Sequence, residues 1–353
     1  MITILKYKPT QGRQIAASGG LFSFRCARLL SFAVMLGCIA VGAQAEQRDK
    51  LVLGGPGAVV SYPLMHMVHT QALKAHAKTV EFRLWDTHDQ LNSLLAHKQL
   101  DFSASPTTLP ALLANRGQSV RLLNVSVWGL IWLISTDPKV KGFQDLATQE
   151  LLSPFQHDLG DVLIDTLLTS QQTARQEGES VQLRRTRSGQ DAIALMLSGK
   201  GQHVALAEPL GSMLLWRSES QTANGKSPKL YRVQSLEEAW AQQYPKQPTL
   251  PQAGLMANGD AALDAALTRA VDEAYANSAR WCKANALGCA EIANRHLPHI
   301  PVAVLRNAIE ITHLESRTAQ NAKSEIEALY RLIQQKHPKV IGNQLPPEKF
   351  YGP

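Results

Sequence analysis

Apolar runs of strand length alternate with amphipathic stretches from residue 50 onward, the pattern of sheets covered by helices, so the chain reads as α/β. The candidate strands are 51–54, 80–85, 102–105, 120–128, 151–155, 181–186, 203–208 and 230–233. Helix starts are marked between them. Thr87 with Gln90 has the spacing of a capping box, and Ser188 with Asp191 is a weaker version of it. The spacing predicts a first helix over 61–76. Beyond Gly259 the pattern turns helical: Asp260 is the expected cap of a helix reaching about 286, and Pro301 opens a second with Val302, Leu305 and Ile309 on one face. Ile326, Leu329, Tyr330 and Ile333 line a third.

Two stretches repeat one plan. THDQLNSLLAHKQLDFSASP (87–106) parallels SGQDAIALMLSGKGQHVALAEP (188–209): a capped helix, a turn, an apolar strand, then a small or acidic residue before Pro. The second half therefore reads as a second lobe. IWLISTDPK after Trp128 and TLPQAGLMAN (249–258) contain no helix, so the chain is expected to pass between the lobes twice in extended form, as a hinge.

Charge first suggests, then removes, a nucleic-acid partner. The net charge is +7, from 36 basic and 29 acidic residues, but five of the basic ones (Lys6, Lys8, Arg13, Arg25, Arg28) lie in an acid-free stretch over 1–45. The remaining 31 against 29 form no cluster, so no nucleic acid is expected. Arg25 and Arg28 precede an uncharged run over 29–41 and then Ala43-Gln44-Ala45, the order of a secretory signal peptide over 1–45. At thirteen residues the run is short of the roughly 20 needed to span a bilayer. The mature chain is thus expected to be exported and periplasmic. Its only thiols are Cys282 and Cys289, which an oxidising compartment is expected to pair, with Asn285 and Leu287-Gly288 bending the chain between them.

Four features carry a family resemblance: Gly54-Gly55-Pro56-Gly57 after the first strand, LLAHKQLDFSASPT, AEP at 207–209, and the closing IGNQLPPEKFYG. In this order they resemble the periplasmic solute-binding proteins of ABC importers, in the nitrate, sulfonate and taurine group. The sequence departs from that pattern at Ala147-Thr148-Gln149-Glu150 and at His97, so the resemblance names no ligand. It implies a two-lobed type II periplasmic binding fold, each lobe a mainly parallel sheet flanked by helices, with a helical C-terminal tail. Lobe 1 is expected over 46–130, lobe 2 over 131–248, and the return crossover with a tail packing on lobe 1 over 249–353. The implied partners are a small-molecule ligand and an ABC permease in the inner membrane, with the binding protein a monomer.

Ligands of open α/β sheets sit beyond the carboxyl ends of the strands. Those ends nominate Gly55, Pro56 and Ser61 after the first strand, Ser105 and Thr107 at a helix start, and Trp128 where the chain leaves lobe 1. In lobe 2 they nominate His157 and Asp158 ahead of a helix starting near Asp161, and Glu208 at a strand end. Helix-capping or core roles compete at Ser105, Thr107, Trp128 and Asp158. A buried Glu208 needs a partner, which is either a ligand donor or a salt bridge within the protein. The candidates supply little positive charge, which argues against nitrate or a simple oxyanion.

MHMVH (65–69) places Met65, His66 and His69 within one turn of helix, a possible metal set; burial of Met65 and Val68 against the sheet with partly exposed His66 and His69 is the favoured reading. No nucleophile elbow, phosphate loop or HExxH occurs, and the Cys-rich motif of the fungal thiamine-pyrimidine synthases, which share this fold, is missing. Neither catalysis nor a cofactor is expected. The alternative function is a periplasmic sensor or metal chaperone on the same two lobes.

Overall fold

A computed structural model describes residues 47–172, 180–222 and 227–352; the expected signal peptide lies outside the described residues. Two sheets organise the chain. The first is built from β1 (Arg48–Gly55), β2 (Ala77–Leu84), β3 (Phe102–Pro106), β4 (Val120–Gly129), β10 (Ala253–Asn258) and β11 (His313–Thr318), in the order β11-β4-β10-β3-β1-β2. The second contains β5 (Ile131–Ser135), β6 (Glu150–Ser153), β7 (Gln182–Arg185), β8 (His203–Ala207) and β9 (Tyr231–Ser235), in the order β7-β6-β8-β5-β9.

Both extended crossovers are themselves strands. β5 leaves the first sheet and enters the second between β8 and β9, antiparallel to both. β10 returns to lie between β3 and β4, again antiparallel to both. The parallel pairings are β1 with β2 and β3, and β6 with β7 and β8, so the sheets are mixed rather than mainly parallel. The reason is topological: a strand that joins two sheets without a covering helix arrives pointing the opposite way. β10 is pressed so closely against β4 that a Cβ on Gly254 would stand 1.9 Å from the Asn124 carbonyl oxygen, and only glycine fits there.

Helices cover the sheets: α1 (Tyr62–His69), α2 (His88–Ala96) and α3 (Thr108–Asn115) around the first, and α4 (Leu159–Gln172), α5 (Gly189–Leu197), α6 (Leu210–Thr222) and α7 (Leu236–Gln243) around the second. The capping signals act as expected. The Thr87 hydroxyl accepts from Gln90 N–H at 3.1 Å and the Ser188 hydroxyl from Asp191 N–H at 3.2 Å. α1, by contrast, stops seven residues short of the expected 76. The His66 carbonyl accepts both the Thr70 N–H and the Thr70 hydroxyl, and the helix ends at Gln71, which takes φ 53° and turns its N–H to the Val68 carbonyl.

The tail comprises α8 (Ala265–Ala284), α9 (Ala286–His296), α10 (Val302–Ile311) and α11 (Lys323–Lys336). A short 310 turn over Gly259–Leu263 displaces the expected cap at Asp260, and Asp264 does the capping, accepting from Leu267 N–H at 3.0 Å. α8 buries Leu267, Val271, Tyr275, Ala279 and Cys282, a stripe at helical spacing. The chain breaks at Asn285, and Cys282 and Cys289 are joined by a disulfide with Cα atoms 5.0 Å apart. α10 also reaches lobe 2, where Ser212 Oγ donates to Asn307 Oδ1 at 2.8 Å. β11 departs from the sequence reading, which has no strand there; HLESRT is too polar to signal one, and it pairs only along the edge of β4. The aromatic end is tied down, with Phe350 buried and Gly352 N–H bonding the Leu122 carbonyl at 3.1 Å. Among the described residues no helix is long and apolar enough to cross a membrane.

Candidate functional site

The strand ends of the two sheets meet around two connected spaces. An inner chamber of about 140 Å³, half open to solvent, is walled by Pro56, Ala58 and Val60 beyond β1, Ser105 and Pro106 of β3, and Phe155, Asp158 and Leu163 of lobe 2, with the crossover residues Leu130, Ile131, Gln252 and Ala253 as its floor. An outer groove of about 840 Å³ shares Pro106, Asp158 and Leu159 with it and opens between α3, the start of α4 and residues 336–340.

The floor is held by one residue. Gln252 Oε1 accepts Leu130 N–H at 3.2 Å, Gln252 N–H donates to the Val127 carbonyl at 3.0 Å, and the Gln252 carbonyl accepts Thr107 N–H at 3.1 Å. Gln252 thus ties the outgoing crossover to the returning one. Its Nε2, although buried, meets no hydrogen-bond partner among the described residues, and the same holds for the buried hydroxyl of Ser105.

The sequence-nominated residues separate into three groups. Pro56, Ser105 and Asp158 line the inner chamber, and His157 and Asp158 line the outer groove. Gly55 and Ser61 stand behind the wall: a Cβ on Gly55 would lie 2.1 Å from Ser61 Oγ, so the glycine is required for the chain to turn against that buried serine. Thr107, Trp128 and Glu208 are engaged elsewhere. Thr107 Oγ1 donates to the Pro251 carbonyl at 2.8 Å, and its own carbonyl accepts Tyr330 OH at 2.6 Å. Trp128 is fully buried, its indole N–H on the Glu315 carbonyl at 2.8 Å and the Arg317 guanidinium 3.5 Å from its ring centre. Glu208 Oε1 lies 2.6 Å from Arg232 Nη1 and Oε2 accepts Ser212 N–H at 3.1 Å, so the salt bridge within the protein is the alternative realised.

At the start of α4 the polar groups satisfy one another. His157, at φ 57°, sends its N–H to Asp161 Oδ2 at 3.0 Å, Asp158 Oδ1 accepts Asp161 N–H at 3.0 Å, and Arg185 Nη2 pairs with Asp161 at 2.9 Å. The Tyr62 hydroxyl is pushed well above its ordinary range, first by burial and then by the nearby Glu208 carboxylate, so it stays protonated.

Sequence reasoning missed Gln252, Leu130 and Phe155. A signal for the first existed: a glutamine inside an extended, mostly apolar crossover that has no surface to explain it. The stretch 65–69 is absorbed into packing. Met65 and Met67 are fully buried, His66 Nδ1 is 3.0 Å from Ser278 Oγ with its ring stacked 4.1 Å from Trp281, and His69 faces Arg295. Among the described residues no group of three or more His, Cys, Asp or Glu is placed to hold a metal.

No protein-family model matches the sequence, and no curated protein matches it. Solved structures do match. An ABC transporter protein from Parabacteroides distasonis is similar over 86% of this chain and 99% of that one, at 18% identity and a TM-score of 0.69. The periplasmic aliphatic sulphonate binding protein SsuA of Escherichia coli is similar over 84% and 91%, at 13% identity and a TM-score of 0.60. The periplasmic nitrate-binding protein NrtA of Synechocystis is similar over 82% of each chain, at 13% identity and a TM-score of 0.59. The fold is therefore that of the two-lobed periplasmic binding proteins of ABC importers.

Proposed function

We propose that this protein is the substrate-binding component of an ABC importer, which captures a small organic solute between its lobes in the periplasm and delivers it to a membrane permease. The observation that carries the reading is the inner chamber itself. It is walled by strand ends of both sheets and floored by the two crossovers. A solute there touches both lobes at once, so its binding energy favours the closed arrangement over the open one, which is the differential affinity a transport signal needs. The likeness to solved binding proteins supports the fold on which this depends.

Purification of the protein from its native cells, denaturation, and mass spectrometry of what is released tests the reading. The expected result is one dominant organic compound that, added back to ligand-stripped protein, raises the melting temperature and reduces the radius of gyration in X-ray scattering. Recovery of the protein from the cytoplasm, or a released compound that leaves both quantities unchanged, overturns it.

A further inference from the structure

We infer that pH sets the balance between the arrangement of the lobes in this structure and a more open one, through two imidazole–carboxylate pairs that join the lobes, His313 with Glu237 and His337 with Asp165. This rests on the cleft reading above and adds what controls it. Position comes first. In the second lobe α4 packs with α7, and α5 with α6. The steps from β6 to β7 and from β7 to β8 run opposite ways along the sheet, so right-handed crossovers place these two pairs of helices on opposite faces. The lobes therefore meet along two seams, one on each side of the crossover strands.

The seams differ in chemistry. On one, α10 packs on α6 and Ser212 Oγ donates to Asn307 Oδ1, a neutral bond that pH leaves alone. On the other, both bonds contain a histidine. His313 Nδ1 of β11 lies 2.6 Å from Glu237 Oε1 of α7, and His337 Nε2, just past α11, lies 3.0 Å from Asp165 Oδ2 of α4. Both imidazoles come from lobe 1 and both carboxylates from lobe 2. The second pair borders the outer groove, since His337 lines it and Asp165 stands one helical turn beyond Asp161, which also lines it. Widening the groove between α4 and residues 336–340 parts this bond.

Charge comes last. Imidazoles change protonation between roughly pH 5 and 8, and a protonated ring holds a carboxylate more strongly than a neutral one does. Around His313 stand the carboxylates of Glu237 and Glu315. The cations nearby are engaged: Arg317 is 3.6 Å from Glu315 and 3.1 Å from Glu325, and Lys283 Nζ donates to the carbonyls of Ile309, Glu310 and Thr312. His313 accordingly titrates above its ordinary 6.5, chiefly through its bond to Glu237. Around His337, Lys336 and Lys339 flank the ring in sequence, and Arg116, His157, Asp158 and Asp161 line the same groove. Arg116, Lys336 and Lys339 are exposed to water and Asp161 is paired with Arg185, so Asp165 is the carboxylate that meets the ring. Low pH charges both rings and holds this seam together; high pH neutralises them and loosens it on the side where the groove opens.

Single-molecule fluorescence energy transfer on the full chain tests this, with no ligand added and dyes on Ser93→Cys of α2 and Lys246→Cys beyond α7, both exposed positions. Each half-buried pair is expected to change the closed-to-open ratio by about threefold, so the ratio falls by about tenfold from pH 5.5 to pH 8.5. His313→Gln and His337→Gln each keep a donor toward the carboxylate without a charge that titrates. Each is expected to remove about threefold of the fall and the double variant all of it, with far-UV circular dichroism confirming a folded chain. A parent with the same open fraction at both pH values, or with none at either, overturns the inference, and so does a fall that survives in the double variant. The cleft reading fails separately, if the compound released from native protein does not compact it.

Discussion

The Glu208 carboxylate, with no solvent exposure, lies 2.6 Å from the Arg232 guanidinium, whose other arm reaches Ser212 Oγ at 3.2 Å. A strand end that would hold a ligand donor instead closes on β9, which lies beyond β5 in the same sheet. Removing one partner leaves an uncompensated buried charge. Arg232→Met is expected to lower unfolding free energy by about 3–5 kcal/mol in urea denaturation, and Glu208→Gln added to it to restore much of that loss. Equal losses in the single and double variants would show that the pair is not what Arg232 contributes.

Asp272 sits against Asn124, whose Nδ2 donates to it at 2.6 Å, yet burial outweighs that bond and pushes its carboxyl up to about 6 from the ordinary 3.8. The folded state thus holds the proton more tightly than the unfolded chain. Stability from this group is full below 3.8, falls as pH climbs through about 6, and is flat beyond. Asp272→Asn removes the fall. Its stability relative to the parent is expected to rise between pH 4 and 6.5 by on the order of 3 kcal/mol at most, measured by urea midpoints across that range.

His313 of β11 meets Glu237 of α7 at 2.6 Å and Glu315 at 3.5 Å, joining the first sheet to a helix of the second lobe. The hydrogen bond to Glu237 is the main reason its imidazole titrates above the ordinary 6.5. The contribution is complete below 6.5 and lost as pH rises through the raised value. Both groups are partly in water, so it amounts to less than about 1 kcal/mol. His313→Gln is expected to cost more at pH 6 than at pH 8.5; the reverse order in paired denaturation curves would contradict the ion pair.

The Cys282 to Cys289 bridge closes a short loop where α8 gives way to α9, and both sulfurs are buried. Constraining the unfolded chain over that span contributes about 2.5 kcal/mol. The double variant Cys282→Ser with Cys289→Ser is expected to melt roughly 5 °C lower. A parent whose melting is unchanged by dithiothreitol, with both thiols then titratable, would show that the bridge contributes nothing.

What the sequence determined by itself was local. Capping at Thr87 and Ser188, the strand cores near 51–54 and 203–207, the stripes of α10 and α11, and the pairing of two cysteines follow from periodicity, propensity and composition, all carried by neighbouring residues. The strand-end rule placed Pro56, Ser105 and Asp158 at the chamber for the same reason. The tertiary structure decided everything that depends on which strand lies beside which. β11 is too polar to announce itself and exists because β4 offers an unpaired edge. Trp128 and Glu208 stand at the right places along the chain, but Arg317 and the Glu315 carbonyl cover the Trp128 ring and its N–H, and Arg232 takes the Glu208 carboxylate. Gln252 becomes the floor of the site only once β10 has threaded between β3 and β4. Side-chain partnership across a fold is set by packing, and a linear pattern does not encode which of two suitable partners arrives first.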